Sequence, residues 1–470
     1  MADTKPHNGL IGLGTMGANL ALNIVDNGYD LAVFNRTTQV TKDFVTDAAD
    51  LASKLTGTET LEDFVDAMAE PRNIILMVPA GPVVDKQIEA LRPLLGDDDL
   101  IIDAGNANYH DTNRRAEDAQ NKPGHFLGIG VSGGSEGARH GPSIMGGGDK
   151  AAWDRVEEML QAISAKHEDI PCATYMGAGG AGHFVKMVHN GIEYADMQMI
   201  AEIYGFLRDG LQMDAKAIGD VFEKWNEGQL SSYLIEISAA VAKADDAKTG
   251  KPVLDIIVDS AGQKGTGRWT AIEALMIGSP VTAIDAAVAA RNLSSRMDER
   301  KRGEELFDAA PQAIAAGDLP MEMLEQALLA GKIACYAQGF AMLQTASTEY
   351  EWGLPMAEIA KVWREGCIIR SSMLDDMATA LDGNEDTNLM FTEPFTGLMK
   401  DSHNDLRKVV SQGSLSGNAV PALSAALSYF DIMRTSRGTA NMVQGQRDFF
   451  GAHSFKRFDE DGDHHGPWND

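Results

Sequence analysis

The sequence predicts an α/β N-terminal domain, a larger all-α domain and a short extended C-terminal tail. Three observations carry this prediction. Short apolar runs alternate with helical segments up to about residue 175, the pattern of a parallel, doubly wound sheet. Near Gly182 the strand pattern stops, and helical periods rich in Ala, Met and Leu continue to about Arg437. From Gly438 onward Gly, Asp, His and aromatic residues dominate. The expected units are residues 1–180, 181–437 and 438–470, since 470 residues exceed what one core supports.

In the first unit the strand candidates are Gly9–Leu13, Leu31–Asn35, Ile74–Val78, Leu100–Asp103 and Phe126–Val131. Between them the helix candidates are Met16–Asn27, Gln39–Ala48, Leu61–Ala69, Val83–Leu94 and Asp111–Ala119. In the second unit the breaks fall near Gly250–Pro252, Gly278–Pro280, Gly317–Pro320 and Gly383–Asn388. A weak repeat runs through it. Lys186, Tyr194, Ala195 and Gln198 are echoed by Lys332, Phe340, Ala341 and Gln344, and Trp225-Asn-Glu-Gly228 by Trp363-Arg-Glu-Gly366. Two echoes in the same order predict a duplicated helical unit. The second copy has Cys335 and Gly339 where the first has His189 and Glu193, so only the first keeps a polar face.

Composition narrows the partners. A hydrophobic content of 44% describes an ordinary globular chain, and no apolar run reaches the roughly eighteen residues of a membrane span. A net charge of −29 makes nucleic acid and anionic membrane poor partners. Three widely spaced cysteines, Cys172, Cys335 and Cys367, argue for a reducing cytoplasm and against a disulfide framework. The N-terminus shows no signal-peptide pattern, and strand-like sequence by Gly9 leaves no room for a transit peptide. No Cys/His spacing marks a metal site, and Asp463-His464-His465 reads as a loose acidic terminus.

The most informative stretch begins at His183. Apolar residues recur there at helical spacing, and Lys186, His189, Asn190 and Glu193 fall at i, i+3, i+4 and i+7. One face of a long helix therefore stacks an amine, an imidazole, an amide and a carboxylate. The rest of the helix is too apolar to face water, so those groups suit proton exchange; a structural ion pair fits the same spacing. Gly12-Leu13-Gly14-Thr15-Met16-Gly17 is a complete GxGxxG between the first strand and the first helix, the setting of a Rossmann-type dinucleotide site. The second strand ends in Asn35-Arg36-Thr37 rather than in an acid, which favours a 2′-phosphate and hence NADP.

Other segments supply candidate ligands. Asp103–Asn108 follows a strand end and suits either a ligand loop or a plain turn. Ser132-Gly133-Gly134 exposes backbone N–H groups, as an oxygen ligand or a linker would require. Ser260–Trp269 gathers Lys264, Thr266 and Arg268 among glycines, an anion cradle in an acidic chain, and Arg291 follows on an alanine-rich helix. Arg447 and His453 open the tail.

Together these stretches, above all His183–Tyr194, Ser260–Thr270 and Gln446–His453, resemble the 6-phosphogluconate dehydrogenase family, the decarboxylating enzymes of the pentose phosphate pathway. The resemblance implies Lys186 as general base and Glu193 as general acid. It implies cofactor contacts from Gly12–Gly17, Asn35, Arg36, Thr37, Val78, Pro79, Ala80 and Asn106. For 6-phosphogluconate it implies Asn106, Ser132, Gly133, Gly134, His189, Asn190, Tyr194, Lys264, Thr266, Arg291, Arg447 and His453. It also implies a homodimer whose tails complete each other's sites, and no metal. Three departures stand out: Pro79 where many relatives carry lysine, Ser135 where an acid is common, and Ala107 where serine is frequent. Rival readings are a non-decarboxylating β-hydroxyacid dehydrogenase and an NADP-binding sensor without turnover.

Overall fold

The computed structural model describes residues 5–308 and 310–468. Its first part is a sheet of eight strands: β1 (Asn8–Ile11), β2 (Leu31–Phe34), β3 (Leu55–Gly57), β4 (Asn73–Leu76), β5 (Leu100–Asp103), β6 (His125–Val131), β7 (Ile144–Gly148) and β10 (Ala173–Gly177). A separate two-stranded ladder joins β8 (Lys166–His167) to β9 (Ile170–Pro171). The sheet order is β10-β7-β6-β5-β4-β1-β2-β3. Seven helices connect the strands: α1 (Thr15–Asp26), α2 (Thr38–Asp47), α3 (Leu61–Asp66), α4 (Pro82–Leu91), α5 (Tyr109–Ala119), α6 (Gly134–His140) and α7 (Lys150–Ile163).

The sheet is parallel as expected except where β6 meets β7, which runs antiparallel. The apolar-run pattern does not reveal β7 because three of its five residues are glycines. Those glycines answer to packing. A Cβ on Gly146 would lie 2.1 Å from the Trp153 ring, and one on Gly147 would lie 2.4 Å from the Gly182 nitrogen. The start of the next long helix thus rests directly on the β7 backbone.

That helix, α8 (Ala181–Gly205), opens the second part and is followed by α9 (Ala215–Trp225), α10 (Tyr233–Lys243), α11 (Thr266–Met276), α12 (Thr282–Ser294) and α13 (Met297–Phe307). The series then restarts with α14 (Met321–Glu349), α15 (Met356–Val362), α16 (Met373–Leu381), α17 (Phe395–Ser416) and α18 (Pro421–Met433). A long helix followed by shorter ones, twice over, is the order expected of a duplicated unit. The long helices α8 and α14 pack against each other, and Ser232 and Ser371, each just before a short helix, pair in an antiparallel bridge. Val188 and Ile192 of α8 pack against Gly339 of α14, and Ile333 and Phe340 of α14 are likewise fully buried. Burial of that kind contributes roughly 1.5–3 kcal/mol per side chain. Lys332, the counterpart of Lys186, is buried and committed to an ion pair with Asp196 at 3.0 Å and a bond to Ser232 at 3.2 Å.

No described helix is long and apolar enough to cross a membrane. The tail corrects the sequence reading. It begins as a helix, α19 (Ala440–Gly451), and residues 454–468 fold back on it instead of running out extended. The expected loose terminus is likewise engaged, since His465 reaches Asp448. Local composition concealed this, because the contacts that order the segment join residues far apart in sequence.

Candidate active site

Three loops meet at the C-terminal edge of the sheet, where ligands bind in open α/β folds. Gly12 has φ of 102°, and a Cβ there would meet the Met77 carbonyl at 2.4 Å. A Cβ on Gly17 would sit 1.8 Å from the Gly12 carbonyl, so α1 can approach its own turn only as glycine. Gly14 differs, because a Cβ there meets nothing within 4 Å. Gly14 also caps α1 without any side-chain hydrogen bond. Open space above uncapped helix N–H groups fits a pyrophosphate.

The neighbouring loops are tied to this turn. Asn35 Oδ1 accepts the Leu13 N–H at 3.1 Å, which fixes the segment carrying the exposed Arg36 and Thr37. The Val78 carbonyl would lie 2.6 Å from a Cβ on Gly105, so Val78-Pro79-Ala80 borders the loop after β5. In that loop Asn106 takes φ of 51°, and its amide exchanges two 3.0 Å bonds with the Val131 backbone. Asn106 thereby anchors the strand end that carries Ser132, Gly133 and Gly134.

Lys186 projects from α8 toward that strand end. Its Nζ lies 3.0 Å from Ser132 Oγ, 3.1 Å from His189 Nδ1 and 2.6 Å from Asn190 Oδ1. None of these partners is a carboxylate, which separates Lys186 from its ion-paired counterpart Lys332. Burial pushes the Lys186 amine down to about 8, while the Glu193 charge pulls it the other way. Burial and the Lys186 charge together hold His189 well below the ordinary histidine range. Glu193, one turn past His189, lies 3.9 Å from His189 Nδ1 and keeps its side chain 20% exposed. Burial raises its carboxyl, against the charges of Lys186, Arg291 and Lys264. An amine displaced downward, lining a narrow pocket with Asn106, Asn190, Thr266 and Trp269, and a carboxyl displaced upward on the same helix face form a pair suited to opposite proton-transfer roles.

The close fit of α8 on the sheet sets this geometry. A Cβ on Gly130 would fall 2.3 Å from Lys186 Cβ. On its other side, α11 reaches α8 through Gly191 and Gly267, where a Cβ would meet Thr270 at 2.6 Å and the Tyr194 ring at 2.4 Å. Thr270 Oγ1 donates to the Met187 carbonyl at 2.7 Å. This contact brings the exposed Lys264 and half-buried Thr266 to the middle of α8, near Glu193. Arg291 on α12 stacks 3.6 Å over the Tyr194 ring. A cation cradle therefore adjoins the amine–carboxylate face.

Arg447 and His453 are not brought to this cleft within the chain. Both are exposed, and Arg447 bonds Gln444 of its own helix at 3.1 Å. Two neighbours went unnoticed in the sequence as site residues. Trp363 packs edge-on against His189 with ring centroids 5.8 Å apart, and the carbonyl of Gly366 would be 2.6 Å from a Cβ on Gly133. The Trp-x-x-Gly echo marks both only as part of the repeat.

A family model for the 6-phosphogluconate dehydrogenase C-terminal domain matches residues 182–468, and one for the NAD binding domain of 6-phosphogluconate dehydrogenase matches residues 7–177. The chain belongs to the 6-phosphogluconate dehydrogenase family. Among 6-phosphogluconate dehydrogenases, two relatives from Bacillus subtilis (strain 168) are each 45% identical to it. One is named NAD(+)-dependent, decarboxylating, and covers 98% of this chain and 99% of its own length. The other is named NADP(+)-dependent, decarboxylating, and covers 99% of each. The Plasmodium falciparum 6-phosphogluconate dehydrogenase, described as solved apo, with its cofactor NADP+ and with its substrate 6-phosphogluconate, is similar at 40% identity. Its TM-score is 0.94 over 98% of this chain and 99% of that one.

Proposed function

We propose that the chain oxidatively decarboxylates 6-phospho-D-gluconate to D-ribulose 5-phosphate and CO2, reducing NADP to NADPH. The observation that carries this reading is the buried Lys186 amine, bonded only to neutral groups and lowered to about 8, with Glu193 on the same face. At pH 7 about a tenth of such amines are neutral and ready to accept a proton.

NADP, which the Gly12–Gly17 turn and Arg36 would hold, would supply the acceptor for the hydride of C3 of the sugar acid. Lys186 takes the C3 hydroxyl proton, leaving a 3-keto acid. The ammonium then donates to the C3 oxygen as the carboxylate leaves as CO2, so an enediol forms and Lys186 is neutral again. Protonated Glu193 delivers its proton to the carbon that lost CO2, and Lys186 removes the enediol proton to give the ketone. His189, Asn190 and Ser132 hold the amine in place throughout. The sugar phosphate is assigned to Lys264, Thr266, Arg291 and Tyr194.

Overall similarity does not choose the coenzyme, because relatives of equal identity are named for NAD and for NADP. Arg36 favours NADP, as a guanidinium fork matches a 2′-phosphate. A homodimer is part of the same reading. Leu275, Met276, Leu293, Leu415, Ile432, Met442 and Phe450, all at least 60% exposed on the single chain, are apolar side chains that such an interface would cover. Tail residues Arg447 and His453 then complete the partner's site. Three buried free thiols suit a cytoplasmic location.

The test supplies purified protein with 6-phosphogluconate and NADP. NADPH and CO2 are expected in equal amounts; NADPH without CO2 identifies a non-decarboxylating dehydrogenase, and neither product overturns the enzyme reading.

A further inference from the structure

The C-terminal segment holds a buried carboxylate that the chemistry above does not use. Asp448 follows Arg447 on α19 and is only 2% exposed on an otherwise exposed helix. Its Oδ1 accepts the Ser454 backbone N–H at 2.9 Å and pairs with His465 Nδ1 at 2.6 Å. Its Oδ2 accepts the Gly466 backbone N–H at 2.8 Å and the Trp468 indole N–H at 2.7 Å. The Gly466 N–H leads these donors in holding the carboxyl well below the usual carboxylate range. Phe455 and His464 exchange backbone bonds of 2.9 and 3.0 Å, closing the segment between them. Ser454, His465, Gly466 and Trp468 are thereby tied to a single side chain.

The clamp acts on the backbone around His453. Ala452 has φ of 48° and Ser454 has φ of 57°, left-handed conformations that residues bearing a Cβ rarely adopt. Such strain persists only where the surroundings over-determine it. Both flanks of His453 are bound to residue 448: the Ala452 N–H to its carbonyl at 2.9 Å, the Ser454 N–H to its carboxylate. The Gln444 side chain holds the Ser454 carbonyl as well. Charge points the same way. A free carboxylate beside Arg447 would repel an anionic ligand, whereas this one is turned inward and satisfied by N–H donors.

We propose that Asp448 is a positioning residue, which presets Arg447 and His453 as a rigid pair that completes the phosphosugar site of a second copy of this chain. This rests on the reading that the tail supplies those two residues to its partner. A tail that was already ordered loses little freedom when substrate binds, so the benefit falls on substrate affinity.

The experiment is steady-state kinetics on the full-length chain with 6-phosphogluconate and NADP. Asp448→Ala is expected to raise KM for 6-phosphogluconate about tenfold or more, with KM for NADP unchanged and kcat altered much less. Trp468→Phe, which removes one donor, should shift the same KM in the same direction by less. An unchanged KM in Asp448→Ala, while Arg447→Ala and His453→Ala both raise it, overturns the clamp and leaves the tail assignment standing. Unchanged KM in Arg447→Ala and His453→Ala overturns the tail assignment and the clamp with it. Should Asp448→Ala not fold, Trp468→Phe decides, and an unchanged KM there overturns the clamp.

Discussion

Replacing Lys186 with Met tests the central physical claim without relying on activity alone. Methionine keeps much of the side-chain volume and removes the amine. In the folded chain the amine sits at about 8 instead of 10.5, so burial disfavours its protonated form by about 3 kcal/mol. The sign follows from proton binding. Between about pH 8 and 10.5 the unfolded chain still holds this proton and the folded chain does not, so wild-type stability rises with pH in that window. Lys186→Met lacks the group, so it escapes the penalty below pH 8 and gains nothing above it. Its lost bonds to Asn190 and Ser132 offset part of the advantage, by about 1–3 kcal/mol at every pH. Relative to the variant, wild type should gain about 3 kcal/mol from pH 8 to 10.5, roughly 5–10 °C in Tm for domains of this size. Paired thermal melts of the ligand-free proteins across that range read it directly. Turnover should fall by at least about a hundredfold while NADP binding persists, since the amine is the proton acceptor. A Tm difference that stays constant with pH would show that Lys186 carries no lowered pKa, and the base assignment would lose its foundation.

Two further outcomes are expected. Arg36→Asp should raise KM for NADP about a hundredfold and change KM for NAD by far less, because a charge-assisted fork to the 2′-phosphate becomes a repulsion; equal effects on both coenzymes would remove Arg36 as the discriminator. Gly130→Ala should lower kcat at least about tenfold with every functional group intact, since the added methyl would lie 2.3 Å from Lys186 Cβ and must push α8 off β6. Wild-type turnover in that variant would show that the fit of α8 on the strand does not set the lysine's position.

Features governed by short-range spacing are legible in the sequence. The GxGxxG turn follows a strand and opens a helix, and Lys186, His189, Asn190 and Glu193 share a face because the helical period puts them there. The strands with branched apolar runs, Leu31–Phe34 and Leu100–Asp103, were equally plain. β7 was not, because its glycines exist to admit Trp153 and the start of α8, partners that its own letters do not name. The tail misled for a related reason. Its composition reads as loose, yet Asp448 collects donors from as far as Trp468.

The sequence by itself determined the two-part architecture, the dinucleotide turn and the set of polar groups on one helix, because each depends on residues within a few turns of one another. The tertiary structure alone decided that Lys186 is hydrogen-bonded only to neutral groups while Lys332 is ion-paired, although both occupy matching places in the repeat. Ser132 lies 54 positions from Lys186 and Asp196 lies 136 positions from Lys332. Which of these meets an amine is fixed by how sheet and helices pack, and the local solvation that results sets the chemistry each amine can perform.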